Sequence, residues 1–339
     1  MGLFSRRAFT LVELVIVVAA AALLTAIVAP AIGRARSVAL ADKEKAAARL
    51  THKSWAMYAE DNREKLLPAS GHWDWIHPLS PPGPNTPRLQ PNDPFMAGRI
   101  VEGTAAKFWT PFLMSQVPMR TDQIQVDAAT RTAFDARNPT PTSISGNFTS
   151  YSSNNRLSAY IMHPSVGMNG VYVGGSYAHG AFRASPTTGP NPVQSGGRFY
   201  VTSMSDVRTP ASLMVFASSR GSDVINSGDF FSYGANNPDF GTTRPGYWLV
   251  TPPRAHPRGR GGAFTPTSLG GTWGSTTNNT FDPLRVPSYW GMLDVRSSGA
   301  VMTIMIDGHS EAQTLEQLRD MRKWSNYATS ATWNFVPGP

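Results

Sequence analysis

The chain has 339 residues, 41% of them hydrophobic and only 15% charged, with 30 Gly and 28 Pro, a balance that excludes a mainly helical body and points to turns and short strands. The lack of Cys excludes a disulfide scaffold and any thiolate-bound zinc or iron–sulfur centre. A formal charge of +8 would suit nucleic acid if the cations clustered, but they are spread, with small concentrations at Arg34 and Arg36, at Lys43, Lys45 and Arg49, and at Arg254, Arg258 and Arg260. No nucleic-acid motif accompanies them, and no nucleic-acid partner is expected.

The first element is an apolar helix. Arg6 and Arg7 precede a run in which, from Leu14 to Ala29, only Thr25 is polar. With Phe9 to Val12 added, the run reaches the roughly 20 residues needed to cross a bilayer, and residues 9–31 are the expected span. Cations ahead of the span keep the N-terminus cytoplasmic and send the remainder across, which implies a single-pass protein of the inner (cytoplasmic) membrane with a periplasmic C-terminal domain. A secretory signal peptide has the same basic-then-apolar order, but it has no use for Glu13, a carboxylate whose place in hydrocarbon costs about 3 kcal/mol.

Ala8-Phe9-Thr10-Leu11-Val12-Glu13-Leu14 resembles the prepilin processing motif of type IV pilins and type II secretion pseudopilins. The resemblance implies cleavage between Ala8 and Phe9 by a prepilin peptidase, N-methylation of Phe9, and a filament assembled from the apolar helix. Ala8 stands where the family usually has Gly. The resemblance also implies that Glu13 of one subunit pairs with the new amine of a neighbour and sets subunit register, a use to which buried ion pairs are suited. Pro30 coincides with the proline that commonly bends the pilin helix, and a proline there removes a backbone donor and is expected to kink or locally melt the helix. The implied partners are the prepilin peptidase, copies of the chain and other pilins or pseudopilins through residues 9–31, and an inner-membrane assembly platform.

Good helix formers continue to Leu67 and Pro68 supplies a stop. A helix over residues 9–67 would be about 85–90 Å long at 1.5 Å per residue, far beyond a bilayer's thickness. In its second half Ala39, Ala46, Leu50 and Met57 form a narrow apolar stripe expected to pack on the chain's own globular domain. The expected organisation is a leader at 1–8, the helix at 9–67, and an extracytoplasmic β-rich domain at 68–339.

After Pro68 the composition turns to Pro, Gly, Ser, Thr, Asn and aromatics. Pro78 to Pro94 reads as surface loop. Short strand-like runs follow at Gly170–Val173, Phe199–Thr202, Leu213–Ala217, Tyr247–Val250 and Val301–Ile306, each bounded by turn residues. The expected class is α+β, a long N-terminal helix packed on a loop-rich antiparallel sheet; the resemblance makes this the pilin fold.

Two segments, Val207 to Ala217 and Val295 to His309 followed by Leu315 to Trp324, are similar to a group of pilin-like proteins, of planctomycete and verrucomicrobial type, that end in a His-x9-Asp-Gly processing-associated segment. Ser297 stands where that group has its histidine. Read physically, Asp307-Gly308 between apolar runs is a hairpin turn, Gly308 accepting positive φ and Asp307 satisfying local donors.

The seven histidines form no H-E-x-x-H pair, and no G-x-S-x-G elbow or P-loop is present, so no catalytic residues are expected. No EF-hand spacing occurs and Asp223, Asp229, Asp239 and Asp282 are scattered, so neither metal nor cofactor is expected. The rival reading is a membrane-anchored surface module for carbohydrate or protein that does not polymerise. Its candidate residues are Trp73, Trp75, Tyr247, Trp248, Tyr289 and Trp290, whose rings either stack on a ligand or complete the core.

Overall fold

The computed structural model describes residues 10–70, 88–89, 101–102, 108–117, 120–135, 160–175, 200–221, 245–252, 281, 290–296 and 299–333. The class is α+β: one long N-terminal helix and a four-stranded antiparallel sheet. Two compact units divide at Asp42/Lys43.

Helix α1 spans Leu11–Asp61 and runs uninterrupted through Pro30. Among the described residues every exposed large hydrophobic side chain lies between Leu11 and Leu40. The helix is long and apolar enough to cross a membrane.

In the second unit α1 buries Glu44, Ala47, Ala48, Thr51, Ser54, Trp55 and Ala59. This corrects the expected stripe, since Ala39 and Ala46 are exposed and Leu50 and Met57 only half-buried. The phase is set by Trp55, fully buried and edge-on to Phe216 with ring centres 6.3 Å apart. Small residues on the same face let the helix approach the sheet. Thr51 and Ser54 meet no polar penalty there, because their hydroxyls donate to the carbonyls of Ala47 and Leu50, each at 3.0 Å.

The helix stops at Asp61, short of the expected Leu67. Arg63 and Glu64 take positive φ of 56° and 64°, and the Glu64 amide closes the end on the carbonyl of Ala59 at 2.7 Å. Leu66 then donates to the carbonyl of Thr202 at 2.9 Å, an extended pairing that buries Leu66 and Leu67.

A two-residue pair, β1 (Arg88–Leu89) and β2 (Val101–Glu102), is antiparallel. Short helices α2 (Trp109–Gln116), α3 (Thr121–Ile124) and α4 (Ala128–Asp135) precede the main sheet. That sheet has the order β3 (Val166–Met168), β4 (Met214–Ser218), β5 (Val301–Met305), β6 (Ser310–Gln313), and β4 is buried along its whole length. The expected runs at 213–217 and 301–306 are thus β4 and β5. The other three runs are not strands: 170–172 is a turn, Val173 and Val201 meet only in an isolated bridge, and Leu249 bridges Met168. Phe199 lies outside the described residues. Strand β3 pairs with the 247–250 segment because Gly167 lacks a side chain; a Cβ there would come within 2.7 Å of the carbonyl oxygen of Tyr247.

The core is aromatic. Trp109 packs against Phe216 at 5.3 Å and donates its indole N–H to the carbonyl of Trp248 at 2.6 Å. Trp324 donates to the carbonyl of Leu318 at 2.8 Å. Asn169 joins β4 to the C-terminal segment through the carbonyls of Met214 at 2.9 Å and Trp324 at 2.8 Å.

Candidate functional site

At the start of α1 the sequence Thr10-x-x-Glu13 forms a reciprocal cap. The Thr10 amide and hydroxyl both donate to Glu13 Oε2 at 2.9 Å, and the Glu13 amide donates to Thr10 Oγ1 at 3.3 Å. The capping box satisfies free donors of the first turn. Its S/T-x-x-E spacing is legible in the sequence, and the reading of Glu13 as a register residue overlooked it. Ala8 and Phe9 lie outside the described residues.

In the second unit the described residues of the closing segment meet the helix at two points. At the first, Arg296 is held between two carboxylates. Its Nη1 donates to Glu44 Oε1 at 3.0 Å, its Nε to Asp294 Oδ2 at 2.6 Å, and its Nη2 to the carbonyl of Ser219. Glu44 and Asp294 are almost fully enclosed, with side chains 3% and 0% exposed. Burial pushes the Glu44 carboxyl above its ordinary range, against the opposing pull of Arg296. For Arg296 burial works toward losing the proton, but the charges of Glu44 and Asp294 outweigh it and hold the guanidinium charged. Sequence reading missed Glu44: its signal is a carboxylate on the buried face, visible only after Trp55 fixes the phase.

At the second point His52 meets the hairpin turn. Asp307 and Gly308 lie between β5 and β6, where the Gly308 amide donates to the carbonyl of Met305 at 3.0 Å and Gly308 has φ +90°. His52 Nε2 donates to the carbonyl of Ile306 at 2.9 Å, a carbonyl being able only to accept. Burial lowers the pKa of His52, partly offset by that bond and by the charge of Asp307. Asp307 Oδ1 accepts from the His309 amide at 3.1 Å and contacts its ring Nδ1 at 2.6 Å. That hydrogen bond raises the pKa of His309, with Glu311 adding to it at 3.4 Å.

Compared with family models, curated proteins and solved structures, the chain matches none. Its own residues carry the functional reading.

Of the aromatic candidates, Tyr247, Trp248 and Trp290 are 2%, 3% and 1% exposed, so these three complete the core. Trp73, Trp75 and Tyr289 lie outside the described residues, as do Ser297 and the acids Asp223, Asp229, Asp239 and Asp282. Among the described residues no group of three His, Asp or Glu side chains is placed to hold a metal ion.

Proposed function

We propose that the chain is a structural subunit of a type IV pilus-like or type II secretion pseudopilus filament, rather than an enzyme. Residues Ala8 and Phe9 are its processing site for a prepilin peptidase, and Phe9 is the N-methylated first residue of the mature subunit. The observation that carries this reading is the confinement of exposed large hydrophobics to Leu11–Leu40 of one helix, directly behind the Phe9-Thr10-Leu11-Val12-Glu13 motif.

Such a surface is costly in water, at about 25 cal/mol per Å² of apolar area, and is stable in a bilayer or a bundle of identical helices. In the membrane the basic pair Arg6 and Arg7 favours a cytoplasmic N-terminus, with the sheet domain periplasmic. Leaving the bilayer, residues 9–31 pack on those of other subunits at the assembly platform. There Glu13 exchanges its cap on Thr10 for the amine of a neighbouring Phe9. The sheet domain, joined to α1 through Glu44, His52 and Trp55, completes a pilin-type fold.

Intact mass and N-terminal sequencing of the protein from its native membrane test the reading. A chain beginning at N-methyl-Phe9 supports it. One that retains Met1, or is cut after Ala29, overturns prepilin processing.

A further inference from the structure

Beside the hairpin turn, where the Ile306 amide donates to the carbonyl of Leu213 at 3.0 Å, the 208–212 turn and the 320–328 segment line an open cavity of about 400 Å³, within the roughly 300–1,000 Å³ typical of small-ligand sites. Arg208, Thr209 and Ser212 supply one wall; Lys323, Ser325 and Asn326 contribute to the other. Arg322 also lines it but is neutralised, since Asp320 accepts from its Nε at 2.9 Å and its Nη2 at 2.6 Å. Arg208 and Lys323 have no carboxylate within ion-pair distance among the described residues. Asp320 also lines the cavity and feels the charge of Lys323, so three cations, Arg208, Arg322 and Lys323, face one carboxylate and leave an excess of positive charge beside three hydroxyl groups.

The walls are built in advance of any ligand. Asn326, 7% exposed, accepts from the Arg208 amide at 2.8 Å and donates to the carbonyl of Asp206 at 2.9 Å, which bolts one wall to the other. The Arg208 guanidinium lies 5.4 Å from the centre of the Tyr327 ring, a cation–π contact that limits its freedom. Fixing these groups beforehand lowers the entropy lost on binding.

The lining also narrows the ligand. Among the described lining residues Ala328 is the only apolar one and none is aromatic, so these residues offer little to an apolar peptide anchor and no ring on which a nucleobase could stack. A ring that bears hydroxyls and one anionic group satisfies both halves of the lining, because charge-assisted bonds to a carboxylate are stronger than neutral ones. We propose that this cavity binds a uronate unit of an acidic polysaccharide, its carboxylate held by Arg208 and Lys323 and its hydroxyls by Thr209, Ser212 and Ser325. The proposal holds whether or not the chain polymerises.

Calorimetric titration of the full chain in detergent micelles with trigalacturonate, and with its fully methyl-esterified counterpart, tests this. Binding of the acid with at least about tenfold preference over the ester is expected, the scale of one lost charge-assisted bond. Arg208→Gln and Lys323→Gln, checked for an unchanged unfolding midpoint, should each weaken the acid by a similar factor. If Arg208→Gln unfolds the domain, Lys323→Gln carries the comparison. Absence of binding to the unaltered chain, equal affinity for the ester, wild-type affinity in a folded Lys323→Gln chain, or a preference for polyglutamate would each overturn the proposal.

Discussion

The two parts of helix α1 solve opposite problems with the same backbone. Between Leu11 and Leu40 it carries large aliphatic side chains and exposes them; between Glu44 and Ala59 it buries mostly small residues, one tryptophan and a carboxylate. A continuous apolar surface suits a partner of no particular shape, such as lipid or an identical helix. A face of Ala, Ser and Thr suits one particular sheet, because small residues allow close approach and one large ring fixes register. Exposure and burial along one helix thus separate a part available to other molecules from a part committed to its own domain.

The sharpest way to break that comparison is to truncate a large side chain in each part. Trp55→Ala should destabilise the sheet domain by about 4 kcal/mol, the range for emptying a fully buried aromatic site, read as a shift in the denaturant midpoint of the full chain in detergent. Ile16→Ala should leave the same midpoint in place, since Ile16 is 62% exposed. Equal effects would mean that the first part also packs on the sheet domain.

Next in size is the buried charge cluster. Arg296→Met leaves Glu44 and Asp294 enclosed without their cation, and about 3 kcal/mol of stability should be lost. Glu44→Gln should cost less, about 1 kcal/mol, because the amide oxygen still accepts from Arg296. The same variant tests a pH effect. With its pKa raised on folding, Glu44 contributes stability that is present below its unfolded value and lost as pH rises through the folded one. Glu44→Gln should abolish that slope. Gly308→Ala ranks third, at about 1–2 kcal/mol: the alanine must hold φ near +90°, and its Cβ would meet the His52 ring at 3.0 Å.

What the sequence revealed follows the same division. The apolar helix was legible because length and hydrophobicity alone define it, and β4 and β5 because continuous apolar runs end at turn residues. The Asp307-Gly308 turn was legible from its residue types. The buried face of α1 was not: counting apolar residues selected Ala39, Ala46, Leu50 and Met57, whereas the sheet took Glu44, Thr51 and Ser54. Those polar groups are buried because each finds a partner, in Arg296 or in the helix's own carbonyls, and a hydrophobicity pattern is blind to partners. Strand β3 escaped for a related reason, since Gly167 has no propensity for a strand and sits there only to admit the backbone of Tyr247.

The smallest predicted effect sets two histidines against each other where helix meets hairpin. His52 has a pKa lowered by burial, so its contribution is complete above the unfolded value near 6.5 and is lost as pH falls below it. His309 has a pKa raised by its bond to Asp307; its contribution is complete below about 6.5 and is lost as pH rises through the folded value. The two windows lie on opposite sides of about 6.5, so these groups should give a stability maximum near that pH, with a fall on either side. In a Glu44→Gln background, which removes the carboxylate slope, His309→Asn should leave only the fall in stability toward acid, and His52→Asn only the fall toward alkali. Added salt separates them further. The His309 pair is exposed and should weaken with ionic strength, whereas His52, enclosed against Ile306 and Trp55, should keep its slope. A slope of His52 that vanished in salt would place its proton in a surface field, and the hairpin would then be resting beside the helix rather than docked on it.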